Sequence, residues 1–193
     1  MKKIISILCA LILLFCMPFF TACDKGEEGM SVSGIHGEVK FVPLTIKNFS
    51  FEMPGYWFVG RKTDESIQYY AEIKDKVAML TISYGVDEKD PVTWQILYDE
   101  RELMVDAIES SMKEMDCKVS GYEEVVSNHG ERGLLYKYTL NMDVDGAALP
   151  GKGSWYCVPS EEDNRWIFIN YAISENVEYQ NYEEDFLKMI AST

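Results

Sequence analysis

The run Arg165-Trp166-Ile167-Phe168-Ile169-Asn170-Tyr171-Ala172-Ile173 constrains the fold most, because Ile167, Ile169 and Tyr171 on one face oppose Trp166 and Phe168 on the other. A strand that is apolar on both faces has to be covered on both, which places it inside a sheet with a layer on each side. Other stretches alternate on one face only: Phe49, Phe51 and Met53; Ile67, Tyr69, Ala71 and Ile73; Ala78, Leu80, Ile82 and Tyr84; and Leu134, Tyr136, Tyr138, Leu140 and Met142. Further strands are expected at 117–127 and 154–159. Pro54-Gly55, Lys74-Asp75-Lys76, Asn128-His129-Gly130 and Asp163-Asn164 supply the turns, the last two with residues that reach positive φ easily.

Two segments have helical period instead. Asp90 as cap and Pro91 at the first helical position precede a stripe of Trp94, Leu97, Tyr98, Met104, Val105, Ile108 and Met112. Near the end, Tyr182, Phe186, Met189 and Ile190 form the inward side of a helix over about 179–191. The order is three strands, a helix, four strands and a helix. Helices segregated from antiparallel hairpins define an α+β fold, a single mostly antiparallel sheet of about six to seven strands with two helices packed on it.

The sequences Asn48-Phe49-Ser50-Phe51-Glu52-Met53-Pro54-Gly55-Tyr56-Trp57 and Tyr182-Glu183-Glu184-Asp185-Phe186-Leu187-Lys188-Met189-Ile190 resemble the opening strand and closing helix of PsbP-like proteins. That resemblance covers residues 48–193 and implies an α/β/α sandwich. The fold includes a photosystem extrinsic subunit, a yeast Ran-binding factor and bacterial envelope lipoproteins related to DcrB, which share a shape and no common activity. It implies no catalytic residue for this chain.

The N-terminus reads differently. Lys2 and Lys3 precede an apolar run from Ile4 to Phe20, then Thr21-Ala22-Cys23. This arrangement resembles a bacterial lipoprotein export signal, with Phe20 where that family has Leu. The resemblance implies removal of residues 1–22, lipidation of Cys23, and residence at the extracytoplasmic face of the cell membrane. Two alternatives stay open: cleavage after Cys23, with Thr21 at the small position, and an uncleaved anchor. The apolar run is at the lower length limit for spanning a bilayer, and Pro18 interrupts it. Residues 23–38 carry Gly26, Gly29, Gly34 and Gly37 among acids and scattered apolar residues and read as a flexible tether, leaving 39–193 as one globular domain.

With 32 acidic against 18 basic residues the net charge is -14, and the leader removes two cations and no acid. Such a surface repels phosphate backbones, so nucleic acid is excluded as a partner. The expected contacts are the membrane, through the N-terminal lipid, and an unspecified protein or envelope component. Cys9 and Cys16 leave with the leader, so Cys117 and Cys157 remain. In an oxidising compartment they either pair, closing a loop worth on the order of 4 kcal/mol, or stay buried as thiols.

Catalytic signatures fail on inspection. Gly146-Ala147-Ala148-Leu149-Pro150-Gly151-Lys152-Gly153 has phosphate-loop spacing, but Gly153 stands where a hydroxyl holds magnesium, and a strand follows rather than a helix. Asp143-Val144-Asp145-Gly146 starts like a calcium loop and lacks its later ligands; with Glu161, Glu162 and Asp163 it offers at most a weak cation site. His36 falls in the tether and His129 at a turn tip, which leaves no imidazole dyad. Tyr56 and Trp57 are read either as an exposed contact pair or as packing over the sheet edge. No catalytic, cofactor or metal residue is assigned. The expected role is a non-enzymatic binding module, against the alternatives of a hydrolase using paired carboxylates or a weak cation-binding protein.

Overall fold

The computed structural model describes residues 39–72, 77–86, 90–144 and 146–193. The leader, Cys23, the tether, Lys74-Asp75-Lys76 and Asp145 lie outside the described residues. Among the described residues, nine strands and three helices follow in the order β1 (Phe41–Ile46), β2 (Phe49–Pro54), β3 (Phe58–Lys62), β4 (Ser66–Glu72), β5 (Ala78–Val86), α1 (Trp94–Asp99), α2 (Arg101–Ser111), a 3-10 turn (Lys113–Met115), β6 (Lys118–Val126), β7 (Arg132–Val144), β8 (Ala147–Ser160), β9 (Arg165–Ser174) and α3 (Tyr182–Ala191). The fold is α+β. Seven strands form one sheet in the order β3-β4-β5-β9-β8-β7-β6, and every pairing in it is antiparallel.

β9 is the middle strand, as its two apolar faces require. Ile167, Ile169 and Tyr171 enter a core shared with α3 and the β1-β2 ribbon, while Trp166 and Phe168 enter a second core under α1 and α2. Each fully buried side chain of this size contributes about 1.5–3 kcal/mol. The alternating faces of β5 and β7 sort the same way: Ala78, Leu80, Ile82 and Tyr84 join the α3 side, and Leu134, Tyr136, Tyr138, Leu140 and Met142 the α1-α2 side.

Several elements differ from the sequence expectation. β2 does not join the large sheet; it pairs with β1 in a separate two-stranded ribbon. The first helix begins at Trp94, not at Asp90-Pro91, because the Thr93 hydroxyl accepts from the Ile96 N–H at 3.4 Å. Upstream, the Val92 N–H is taken by the Asn164 side chain at 2.8 Å, so tertiary contacts hold that stretch outside the helix. Glu100 then divides the expected single helix in two: α1 packs on β7 and β8, α2 on β6. β8 is longer than expected and absorbs the glycine-rich segment.

Both sheet edges are blunted against strand addition. β3 is short, largely exposed and bulged between Val59 and Arg61; β6 is bulged between Val119 and Gly121. The Val119 N–H of β6 donates to Glu109 Oε1 at 2.9 Å, which closes that part of the edge.

Cys117 and Cys157 are both buried and free, which corrects the pairing alternative. Cys157 faces Leu134 on β7, whereas Lys118, the residue after Cys117, faces Thr139. That offset along β7 is about 17 Å, and a disulfide needs Cα atoms within about 7 Å. Burial pushes the Cys117 thiol up to about 12 and the Cys157 thiol well above the usual range, so neither is a ready nucleophile. Thiol labelling of unreduced, unfolded protein is expected to modify both cysteines; a pair that reacts only after reduction contradicts this geometry.

Candidate interaction surface

Trp94 opens α1 with Tyr98 one turn later, and their rings lie 5.7 Å apart. A guanidinium stacks at each end. Arg132, from the start of β7, sits 4.3 Å from the Trp94 ring centroid, and Arg101, from the start of α2, sits 4.2 Å from that of Tyr98. The result is a surface strip, Arg132-Trp94-Tyr98-Arg101, in which each cation lies over an aromatic face. Arg132 is pinned by Glu124 at 2.8 Å, and the Arg101 Nη1 donates to the Tyr98 carbonyl at 2.5 Å. Tyr122, on β6, donates to Glu102 Oε1 at 2.5 Å beside them. Tyr98 is 40% exposed and Val126, opposite Arg132 in the register, is 57% exposed. Both Trp94 and Tyr98 belong to the stripe expected to face inward; instead Trp94 is half-buried and Tyr98 exposed. The Tyr98–Arg101 spacing was a readable signal for a helix-surface stack. The Arg132–Trp94 contact was not, since it needs the sheet to bring β7 under α1.

The other prominent aromatic group is interior. Tyr56 and Trp57 are not an exposed pair: Trp57 is buried, and Tyr56 packs against Tyr179 and Tyr182 with ring centroids 5.5 and 5.6 Å away. Centroids this close put the rings in mutual contact, so the group is filled rather than a cage for a cation. Asp185, only 2% exposed, joins the parts, accepting from the Tyr56 hydroxyl at 3.1 Å and the Tyr179 hydroxyl at 2.6 Å. Burial, then the neighbouring carboxylate, pushes the Tyr56 phenol far above its usual range. The cluster ties the loop after β2 to α3.

The remaining expectations resolve locally. Gly151 and Gly153 lie within β8, so no phosphate loop exists there. Asp143 accepts from the Gly146 N–H at 2.8 Å, Glu161 from the Trp94 N–H at 3.1 Å, and Asp163 from the Asn48 side chain at 2.5 Å. These carboxylates act as turn and helix-start acceptors. No group of three or more His, Cys, Asp or Glu placed to hold a metal ion occurs among the described residues. His129 sits in the turn joining β6 and β7 with its side chain exposed, while His36 lies outside the described residues. Glu100, whose pKa burial raises, lies at the α1-α2 junction, whereas Asp185 lies in α3 on the opposite side of the sheet. These two acids therefore cannot act as a catalytic pair.

No protein-family model matches the chain, and no curated protein matches it. Among solved structures, a Bacteroides thetaiotaomicron VPI-5482 protein is similar at 12% identity with a TM-score of 0.46, over 74% of this chain and 43% of that one. The chain thus spans less than half the length of that protein. A variant of the protein Mog1 is similar at 9% identity, TM-score 0.45, over 81% of this chain and 87% of that one. The Saccharomyces cerevisiae Ran-binding protein Mog1p is similar at 7% identity, TM-score 0.45, over 80% and 87%. These are distant similarities of fold.

Proposed function

We propose that this protein is a lipid-tethered domain at the extracytoplasmic face of the cell membrane that binds a protein or another envelope component without transforming it chemically. The observation that carries the binding part is the Arg132-Trp94-Tyr98-Arg101 strip. Trp, Tyr and Arg are the residue types that dominate interface energetics, and here they are held together in pre-stacked geometry on the surface. The tether part is supported by the leader and Cys23. No helix among the described residues is long and apolar enough to cross a membrane. Two or more acyl chains on Cys23 would supply stable attachment, since each buried methylene contributes about 0.8 kcal/mol.

Each part has its own test. Cys23→Ala is expected to leave the precursor unprocessed, whereas the wild-type chain partitions into the detergent phase; unmodified wild-type protein in the aqueous phase would refute the tether. A photo-crosslinking amino acid at Tyr98 or Val126 in intact cells is expected to yield one discrete adduct, and the same residue at Leu187, on the exposed side of α3, none. Equal adduct yields at all three positions would remove the strip as the binding surface.

A further inference from the structure

We infer that the partner of this strip presents a basic segment with an apolar or aromatic anchor, a reading that rests on the binding function proposed above. The argument is the unequal compensation of charge over the surface. The acids of α3 itself are all paired: Glu183 with Lys137 at 3.8 Å and Lys152 at 3.6 Å, Glu184 with Lys188 at 2.8 Å, and Asp185 with Lys188 at 3.9 Å. Beside the strip fewer are: Glu124 holds Arg132 at 2.8 Å and Glu109 of α2 holds Lys118 at 3.6 Å. Asp99, Glu102 and Asp106 enter none of the ion pairs among the described residues. Glu102 and Asp106 stand four residues apart on α2 and so share one of its faces.

The strip's own cations offset only part of this field: Glu124 matches Arg132, and Glu102, after the Tyr122 hydroxyl, lies close enough to Arg101 to raise its pKa, which leaves Asp99 and Asp106 uncompensated. Arg132 is stacked on Trp94 and held by Glu124, and Arg101 is stacked on Tyr98 with one nitrogen on a backbone carbonyl. What faces outward is an aromatic centre carrying two matched guanidiniums, with Asp99 and Asp106 as an uncompensated acidic border. An interface buries an apolar centre inside a polar rim, and rim charges act chiefly through steering and discrimination. A partner with lysines or arginines flanking an apolar anchor complements both parts. An acidic partner meets like charge here, reinforced by a chain charge of -14.

The test uses the full lipidated chain in neutral detergent micelles and two synthetic peptides of about ten residues. One alternates lysine with leucine around a central tryptophan; the other replaces every lysine with glutamate. Hydrogen-exchange mass spectrometry locates binding, and fluorescence anisotropy measures affinity. The lysine peptide is expected to protect residues 94–106 and 121–126. Tyr98→Ala is expected to weaken it by about 30-fold, the scale of an interface hot spot. The double variant Glu102→Gln, Asp106→Asn should reduce its salt dependence, while Leu187→Ala changes nothing. Protection centred on α3, or equal affinity for the glutamate peptide, overturns the inference. If the in-cell adduct at Tyr98 persists undiminished in the Glu102→Gln, Asp106→Asn background, binding at the strip stands and the basic partner falls. If that adduct is absent from the wild-type chain too, the binding reading itself has failed.

Discussion

Replacing Asp185 with alanine is expected to lower the unfolding free energy by about 3 kcal/mol, because it takes the acceptor from the Tyr56 hydroxyl in a largely desolvated site and breaks a second charge-assisted hydrogen bond, to Tyr179. The carboxylate is 2% exposed and accepts from Tyr56 at 3.1 Å and Tyr179 at 2.6 Å, joining the loop after β2 to α3. For a domain of this size that loss corresponds to a fall in Tm of about 10 °C. Asp185→Asn keeps an acceptor and should cost roughly half as much. Circular dichroism melts of the two variants against wild type settle the matter, and an alanine variant within about 0.5 kcal/mol of wild type would show that the cluster is held by ring packing alone. The neighbouring Lys188 amine, 3.9 Å from the other carboxylate oxygen, is half-exposed and adds little.

Gly153→Ala is expected to destabilise the domain by about 3 kcal/mol, and Gly153→Val to prevent folding. A Cβ at this position meets the Tyr171 carbonyl oxygen and stands 2.5 Å from the Tyr138 hydroxyl oxygen. Neither neighbour has room to yield: Tyr138 lies across the glycine to donate to Asn170 at 2.6 Å and to the Tyr171 carbonyl at 3.1 Å, deep in the α1-α2 core. Gly121, in the β6 bulge, has nothing within 4 Å of an added Cβ, and Gly121→Ala should stay within about 0.5 kcal/mol of wild type. Chemical denaturation of the three variants gives the ranking. A Gly153→Ala protein as stable as Gly121→Ala would contradict this β7-β8 packing. Smallness at Gly153 is a packing demand, which accounts for a glycine where the phosphate-loop pattern has a hydroxyl.

The strands with clean alternation were legible because burial imposes period two on them, and β9 was placed centrally because its residues are apolar on both faces. β1 and β3 carried no such mark. β3 is exposed from Val59 to Lys62, and β1 contains Pro43 and buries only Ile46 fully, so neither offers a regular apolar face. The break at Glu100 has no glycine or proline beside it; it follows from α1 and α2 packing over different strands. Tyr56 and Trp57 were ambiguous for a related reason. An aromatic pair after a turn is exposed or buried depending on what docks over it, and here Tyr179 and Tyr182 do.

Residue order alone determined the elements whose apolar spacing matches their own period, the α+β class, the acidic charge, and the leader whose resemblance motivates the tether. Those are local or summed properties, written in neighbouring side chains. Only the tertiary structure decided that the ribbon of β1 and β2 stands apart from the large sheet, that the two thiols lie far apart along β7, and that Arg132 reaches Trp94. Each depends on register and on the docking of segments distant in the chain, where the energy comes from contacts that no local pattern encodes.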